Sequence, residues 1–329
     1  MKLINQSAEI CKTHGYTLQD IYKDIERAAR VSYKSEDKIT EDSAEKTVKR
    51  LINMKHYSPL EFGTIYLKFP NTSLGEVDVE KYETNPFSAV TITTDSTRYI
   101  TTNYRVIVEN RWEDDLKYMC EPTKHHQRRT TVKFITNRAM THELVRHRSM
   151  SFMQESQRYC NYSKDKFNNE ITFIKPCWVN ISTTDSAVYD ASRDGDYFIH
   201  ALEDAENWYL SLLKKGWTPQ QARTILPNAT KTEIYMCGFD RDWAHFFELR
   251  DKPHVDPQMY DLAHNLHSDF KNKNMKKKLD ETERNRMLKL IEEAKKHGED
   301  HVASLIQLAI DLSDKGEYDK FIQIFSENN

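Results

Sequence analysis

An α+β fold is predicted for this chain on three observations. Helical and strand-like segments alternate irregularly rather than as repeated strand–helix–strand units. The 329 residues include only eight glycines, and neither G-x-G-x-x-G nor G-x-x-x-x-G-K-[ST] occurs. Hydrophobic content of 38% and aromatic content of 11% suffice for a packed core, and 30% charged residues imply a well-solvated surface. Without a glycine-rich phosphate cradle, any nucleotide must be held chiefly by side chains.

Residues 17–30, TLQDIYKDIERAAR, carry Leu18, Ile21, Tyr22, Ile25 and Ala29 at helical spacing. Ala44, Val48, Leu51 and Ile52 predict a second helix ending near His56. EFGTIYLKF then alternates Ile65, Leu67 and Phe69 with Thr64, Tyr66 and Lys68, the pattern of a half-buried strand. Residues 70–130 read as an irregular insertion with a hairpin, YRVIVEN being its clearest strand. TTVKFIT at 130–136 resumes the sheet and runs into a helix ending at Arg148.

A long helix is predicted over about 193–214 on Phe198, Leu202, Ala205, Tyr209 and Leu212, stopped by Gly216. TPQQARTILP is a start-and-stop signal: Thr218 caps, Pro219 takes the first helical position, Gln221 completes a capping box and Pro227 ends the helix. EIYMC is strand-like, and Asp240 is placed to cap a helix carrying Trp243, Phe246, Phe247 and Arg250. Composition shifts near Lys271 to a lysine-rich and then helical stretch, so residues 1–270 read as the catalytic domain and 271–329 as an extension.

Net charge is only −3, which gives no general attraction to nucleic acid or membrane. No run is long enough to span a membrane, and residues 1–16 lack the apolar core of a signal peptide. Five scattered cysteines without a C-x-x-C pair predict neither structural zinc nor a disulfide framework, and a cytoplasmic setting fits best.

The stretch that carries chemistry is HELVRHRSMSFMQESQRYCNYSK, His142 to Lys164. His142 and His147 stand five apart, which turns the second about 140° from the first on a helix and excludes a shared metal. Arg146, His147 and Arg148 could simply be a solvated helix end complementing the helix dipole. Against that, the triplet follows the apolar pair Leu144-Val145 and leads into Ser151, Gln154, Ser156 and Gln157, which suit a phosphate or a base edge. Arg158 adds a planar, permanently charged fork.

Arg-His-Arg, seven residues from Ser149 to Glu155, and then Ser156 in SQRY resemble the signature of flavin-dependent thymidylate synthases. AARVSY at 28–33, HYSPLEF at 56–62, ARTILP at 222–227 and HFFELR at 245–250 resemble further family blocks, in the family's order, over about residues 28–270. The resemblance implies methylation of deoxyuridine monophosphate (dUMP) at C5. Methylenetetrahydrofolate would be the carbon donor, FAD the hydride carrier and NADPH the reductant, with no cysteine nucleophile. It also implies a mixed sheet core wrapped by helices, in a homotetramer whose active sites are shared between subunits.

By the same resemblance Glu143, Arg146, Gln154, Glu155, Ser156, Gln157, Arg158, Arg223 and Arg250 would bind dUMP. Ser156 and Arg158 would lie near its phosphate, and Arg223 would reach it from another subunit. Arg250 would hold and polarise the uracil ring. Ser32, Arg146, His147, Arg148, Ser149, Gln154, Arg241, His245 and Leu249 would contact FAD.

Several positions depart from the family pattern. Phe62 replaces a His, Phe239 an Asn and Glu143 a Gln, Gln154-Glu155 reverses the usual order, and Asp256 and Tyr260 stand where His and Arg are common. Two alternatives follow: a flavin- and folate-dependent hydroxymethylase of pyrimidine nucleotides, or a nucleotide-binding relative with reduced catalysis. Trp208, Trp217 and Trp243 read as packing residues, His125-His126 as an exposed loop pair, and KNKNMKKKLD as a solvated linker or helix start, where the lack of interleaved aromatic residues argues against nucleic-acid binding.

Overall fold

The computed structural model describes residues 1–70, 78–179, 194–275 and 281–315. Parts of the expected insertion (71–77) and of the expected extension (276–280 and 316–329) lie outside these residues.

The chain opens with two short strands, β1 (Lys2–Ile4) and β2 (Ser7–Ile10). Helix α1 (Leu18–Val31) follows, capped by a reciprocal Thr17–Asp20 box, and α2 (Ser43–Asn53) packs beside it. Next come β3 (Thr64–Phe69), the single turn α3 (Glu80–Glu83), β4 (Ala89–Ile92), β5 (Arg98–Asn103) and α4 (Tyr104–Asn110). The site-bearing centre contains β6 (Arg129–Asn137), α5 (Arg138–Leu144), β7 (Ser151–Gln154) and β8 (Thr172–Ile174). After it lie α6 (Asp194–Lys214), α7 (Pro219–Ala222), β9 (Lys231–Phe239), α8 (Asp240–Arg250) and α9 (Pro257–Met275). Helices α10 (Glu281–Lys296) and α11 (Asp300–Lys315) complete the described chain.

The helices and strands are mixed, as the element order predicts. The strands divide into three sheets: β2-β6-β9-β7, β3-β5-β4, and the pair β1-β8. Only β1-β8 is parallel; the four-stranded sheet is antiparallel throughout.

Alternation along β9 decides what covers each face of that sheet. Tyr235 and Cys237 face a cluster with Ala28 and Val31 of α1 and with Phe62. On β6, Phe134 lies 6.4 Å from both Trp243 and Phe246 of α8, and Trp243 Nε1 donates to the Thr130 carbonyl at 3.0 Å. Each fully buried side chain of this size contributes about 1.5–3 kcal/mol by leaving water. Gly63 is required where the chain crosses α1, since a Cβ there would come within 2.7 Å of Ile25.

Five readings need correction. YRVIVEN is helix α4, not a strand. Asn103 caps it by accepting from Val106 N, its buried residues are Tyr104, Val106 and Ile107, and Arg111 ends it at φ 60°. The insertion is not irregular, because β4 and β5 extend a sheet begun by β3 and share one core with α1 and α2. β6 does not resume the sheet of β3 but builds the separate four-stranded one. α5 stops at Leu144, so the Arg-His-Arg triplet lies beyond the helix. Asp240 is the first residue of α8, and the capping contact is Phe239 N donating to Asp242 at 2.9 Å.

The chain divides into two compact units, Met1–His264 and Asn265–Asn329. In the second unit Ile291 and Ala294 of α10 pack with Ala303 and Ile310 of α11.

Candidate functional site

Asn137 starts α5 by accepting from Met140 N at 2.9 Å, which fixes the helix directly after β6. Beyond Leu144 the backbone turns tightly. Arg146 N donates to Glu143 O, His147 N to Leu144 O and Met150 N to His147 O. These turns send His147 inward, while Arg146, Arg148 and Ser149 stay exposed. Of the apolar pair, Leu144 is buried and Val145 is 39% exposed.

His147 meets the end of α8. Arg250 Nε donates to His147 Nε2 at 3.2 Å, Nη1 to Glu143 Oε2 at 2.7 Å, and Nη2 to the Glu143 carbonyl at 3.4 Å. Burial first, then the charge of Arg250 and the nearby His245, push the His147 imidazole down to about 4. A neutral ring suits the geometry, because the nitrogen facing Arg250 must accept. The His147 ring packs 5.0 Å from Phe246 and 6.4 Å from His245. Leu249 and His245 are exposed along the same helix, His245 paired with Glu248 at 3.6 Å. Glu143, His147, His245 and Arg250 therefore come together from two distant segments of the chain, with exposed Arg146 and Arg148 continuing the turn.

Arg241 stands about 13 Å along α8 from Arg250 at 1.5 Å per residue. Its guanidinium lies 4.9 Å from the Phe239 ring, and Arg129 lies 5.6 Å from the same ring. Phe239 thus stands between two cations, which its π faces attract. Phe62 is buried against Tyr235 at 6.5 Å.

A second cluster forms around residues 154–158. Gln154 turns inward and donates to Thr141 Oγ1 (3.0 Å) and Thr232 Oγ1 (3.2 Å). Glu155 is buried against Lys231 Nζ at 3.0 Å. Ser156 N donates to the Ser32 carbonyl at 3.1 Å, and Ser32 Oγ to Met153 Sδ. Gln157 is 8% exposed and its Nε2 has no hydrogen-bond partner among the described residues. Arg158 is exposed, and its Nε donates to Gln220 Oε1 at 3.0 Å, three residues before Arg223. The sequence block around Arg223 and the signature loop therefore meet within one chain.

Three residues escaped the sequence reading. Arg138, at the start of α5, is half-buried, and its guanidinium has no hydrogen bond or ion pair among the described residues. Burial lowers its pKa, and the charge of Arg223 adds to this, while Tyr162 and Glu155 act in the opposite direction. Tyr33 and Tyr159, 43% and 51% exposed, pack with ring centroids 4.7 Å apart, and Arg158 lies 5.4 Å from the Tyr159 ring. The sequence signal for the pair was its place at the ends of AARVSY and SQRY; Arg138 gave none.

Other expectations are revised. Trp243 is packed, but Trp208 and Trp217 are 66% and 46% exposed. His126 is buried rather than exposed: Thr123 N donates to Nδ1 at 3.0 Å and Nε2 donates to the Leu67 carbonyl at 3.0 Å. Of KNKNMKKKLD, the described part to Met275 is helical.

Fold and site together define a mixed helix-and-sheet protein that gathers arginines beside buried polar groups. Residues 122–274 match the family model described as thymidylate synthase complementing protein. Curated relatives named flavin-dependent thymidylate synthase occur in Corynebacterium efficiens (35% identical over 133 residues), Corynebacterium glutamicum (33% over 136) and Mycolicibacterium gilvum (32% over 133). Each alignment covers 39% of this chain and 51% of the relative, so the chain spans about half the length of the curated relatives it matches. A solved structure titled UMP/dUMP methylase PolB from Streptomyces cacaoi, bound with 5-Br UMP, aligns with TM-score 0.38 and 16% identity over 82% of this chain and 91% of that one.

Proposed function

We propose that this chain reductively methylates dUMP to dTMP, with methylenetetrahydrofolate as carbon donor, FAD as hydride carrier and NADPH as reductant. The observation that carries this reading is Arg250, held by His147 and Glu143 with N–H groups to spare. A fixed cation beside a uracil carbonyl stabilises the negative charge that grows there as C5 becomes nucleophilic. Neutral His147 orients the guanidinium without adding a competing charge, and Glu143 fixes its other edge.

Arg158, Arg223 and half-buried Arg138 would bind the phosphate. Ser156 and the orphaned Gln157 amide supply neutral donors beside them. The flavin, when bound, supplies the hydride that completes the methyl group. Arg146, Arg148 and Arg241, with Ser32, Ser149, His245 and Leu249, would hold it. The donor set fits, since the guanidiniums of Arg146 and Arg148 are exposed and have no partner among the described residues.

No cysteine nucleophile is needed. Cys160, the cysteine closest to the loop in sequence, is fully buried, and burial, reinforced by the Glu155 charge, pushes its thiol up to about 12. The working form would be a cytoplasmic homotetramer with shared sites. Large apolar side chains beside the two clusters support this, among them Ile225 (39% exposed), Leu249 (43%) and Trp217 (46%). Mass analysis of the product from dUMP, methylenetetrahydrofolate, FAD and NADPH tests the reading. dTMP is expected; a hydroxymethylated nucleotide, or no product, would overturn it.

A further inference from the structure

The ladder between β7 and β9 ends at Gln154↔Ile234, and one further backbone bond, Glu155 N to Glu233 O at 2.8 Å, closes it. After that the chain leaves the sheet edge toward Ser156 and Arg158. The last side-chain anchor before it does so is the Glu155 carboxylate, which is buried and needs a counter-charge there. Lys231 Nζ supplies it at 3.0 Å, and Tyr162 donates its hydroxyl to the other oxygen at 3.3 Å.

Lys231 is itself bonded to Glu233, which takes Lys34 at 2.8 Å and Lys133 at 2.8 Å. Burial disfavours the Glu233 carboxylate, but Lys231 and Lys34, with Lys133, more than offset it and hold the carboxyl far below its ordinary range. Lys34 lies two residues beyond Ser32, whose carbonyl receives Ser156 N. One ionic cage therefore ties the end of α1, two strands and the loop that carries Ser156 and Arg158.

We propose that Lys231 is a positioning residue for the substrate loop, acting through Glu155, with Glu233 and Lys34 as the fixed anchor. The claim rests on the dUMP reading above, and its test separates the two. Full-length Lys231→Met, Glu155→Leu, the double variant and Lys231→Arg are compared with wild type for dUMP affinity by calorimetry and for amide hydrogen exchange across residues 153–160 without ligand. Each single variant weakens dUMP binding about tenfold, and the double loses no more than about tenfold because both break one link. Lys231→Arg restores affinity to within about twofold, and exchange of the 155–158 amides rises in both single variants. If Lys231→Met does not fold, Glu155→Leu, which removes the buried anion with its bond, carries the exchange and affinity comparison. Unchanged loop exchange, or losses that multiply in the double variant, overturns the proposal. Failure of wild type to bind dUMP overturns the substrate reading instead.

Discussion

Arg250 Nε donates to His147 Nε2 across 3.2 Å, joining the last residue of α8 to the middle of the turn after α5. One side chain of the Arg-His-Arg triplet is thereby part of the interior, and the other two stay exposed. Removing the guanidinium deletes the cation proposed to stabilise developing charge. Arg250→Ala is expected to lower kcat by about 10²–10³ or more while leaving the oligomeric mass of the protein unchanged. Steady-state dTMP formation and light-scattering mass check both parts; near-normal turnover would remove Arg250 from this role.

His147 makes the fold sensitive to acid. Its imidazole ionises near 6.5 when unfolded and only at about 4 when folded, so the unfolded chain binds more protons between those values. Stability therefore rises with pH from about 4 to 6.5, is fully present above that window and is lost as pH falls through it, by at most about 3 kcal/mol. His147→Gln, which cannot ionise, should flatten this part of the profile in urea denaturation taken at several pH values. An unchanged slope would assign it to other groups.

Arg138 should report the phosphate. Arg138→Met is expected to weaken dUMP binding about 10- to 100-fold, the worth of a charge-assisted hydrogen bond, and to leave deoxyuridine binding unchanged. Calorimetry with the two ligands distinguishes them. Equal losses for both would make Arg138 a structural residue.

Phe62 contributes to the core, whatever else the position does in relatives. It is 3% exposed and packs with Tyr235, Ala28 and Val31. Phe62→Ala should cost about 3–5 kcal/mol in denaturant unfolding. A cost below about 1 kcal/mol would mean that the cluster closes over the gap.

Much of the architecture was legible in the sequence because the segments are locally self-sufficient. α1 has its Thr17 box and apolar stripe, α7 its Thr218–Gln221 box, and β9 its apolar run. YRVIVEN misled because β-branched residues favour strands, and a side-chain cap at Asn103 with a helical burial face overrode that preference. The family motifs marked the residues around the site, but not how they are shared out. Period and capping are properties of neighbouring residues, so the sequence by itself determined the elements and the identity of the cationic side chains. Which of those cations is buried is a property of distant partners. Only the tertiary structure decided that His147 faces Arg250, that Glu155 is locked to Lys231, and that Arg138 is half-buried at the start of α5.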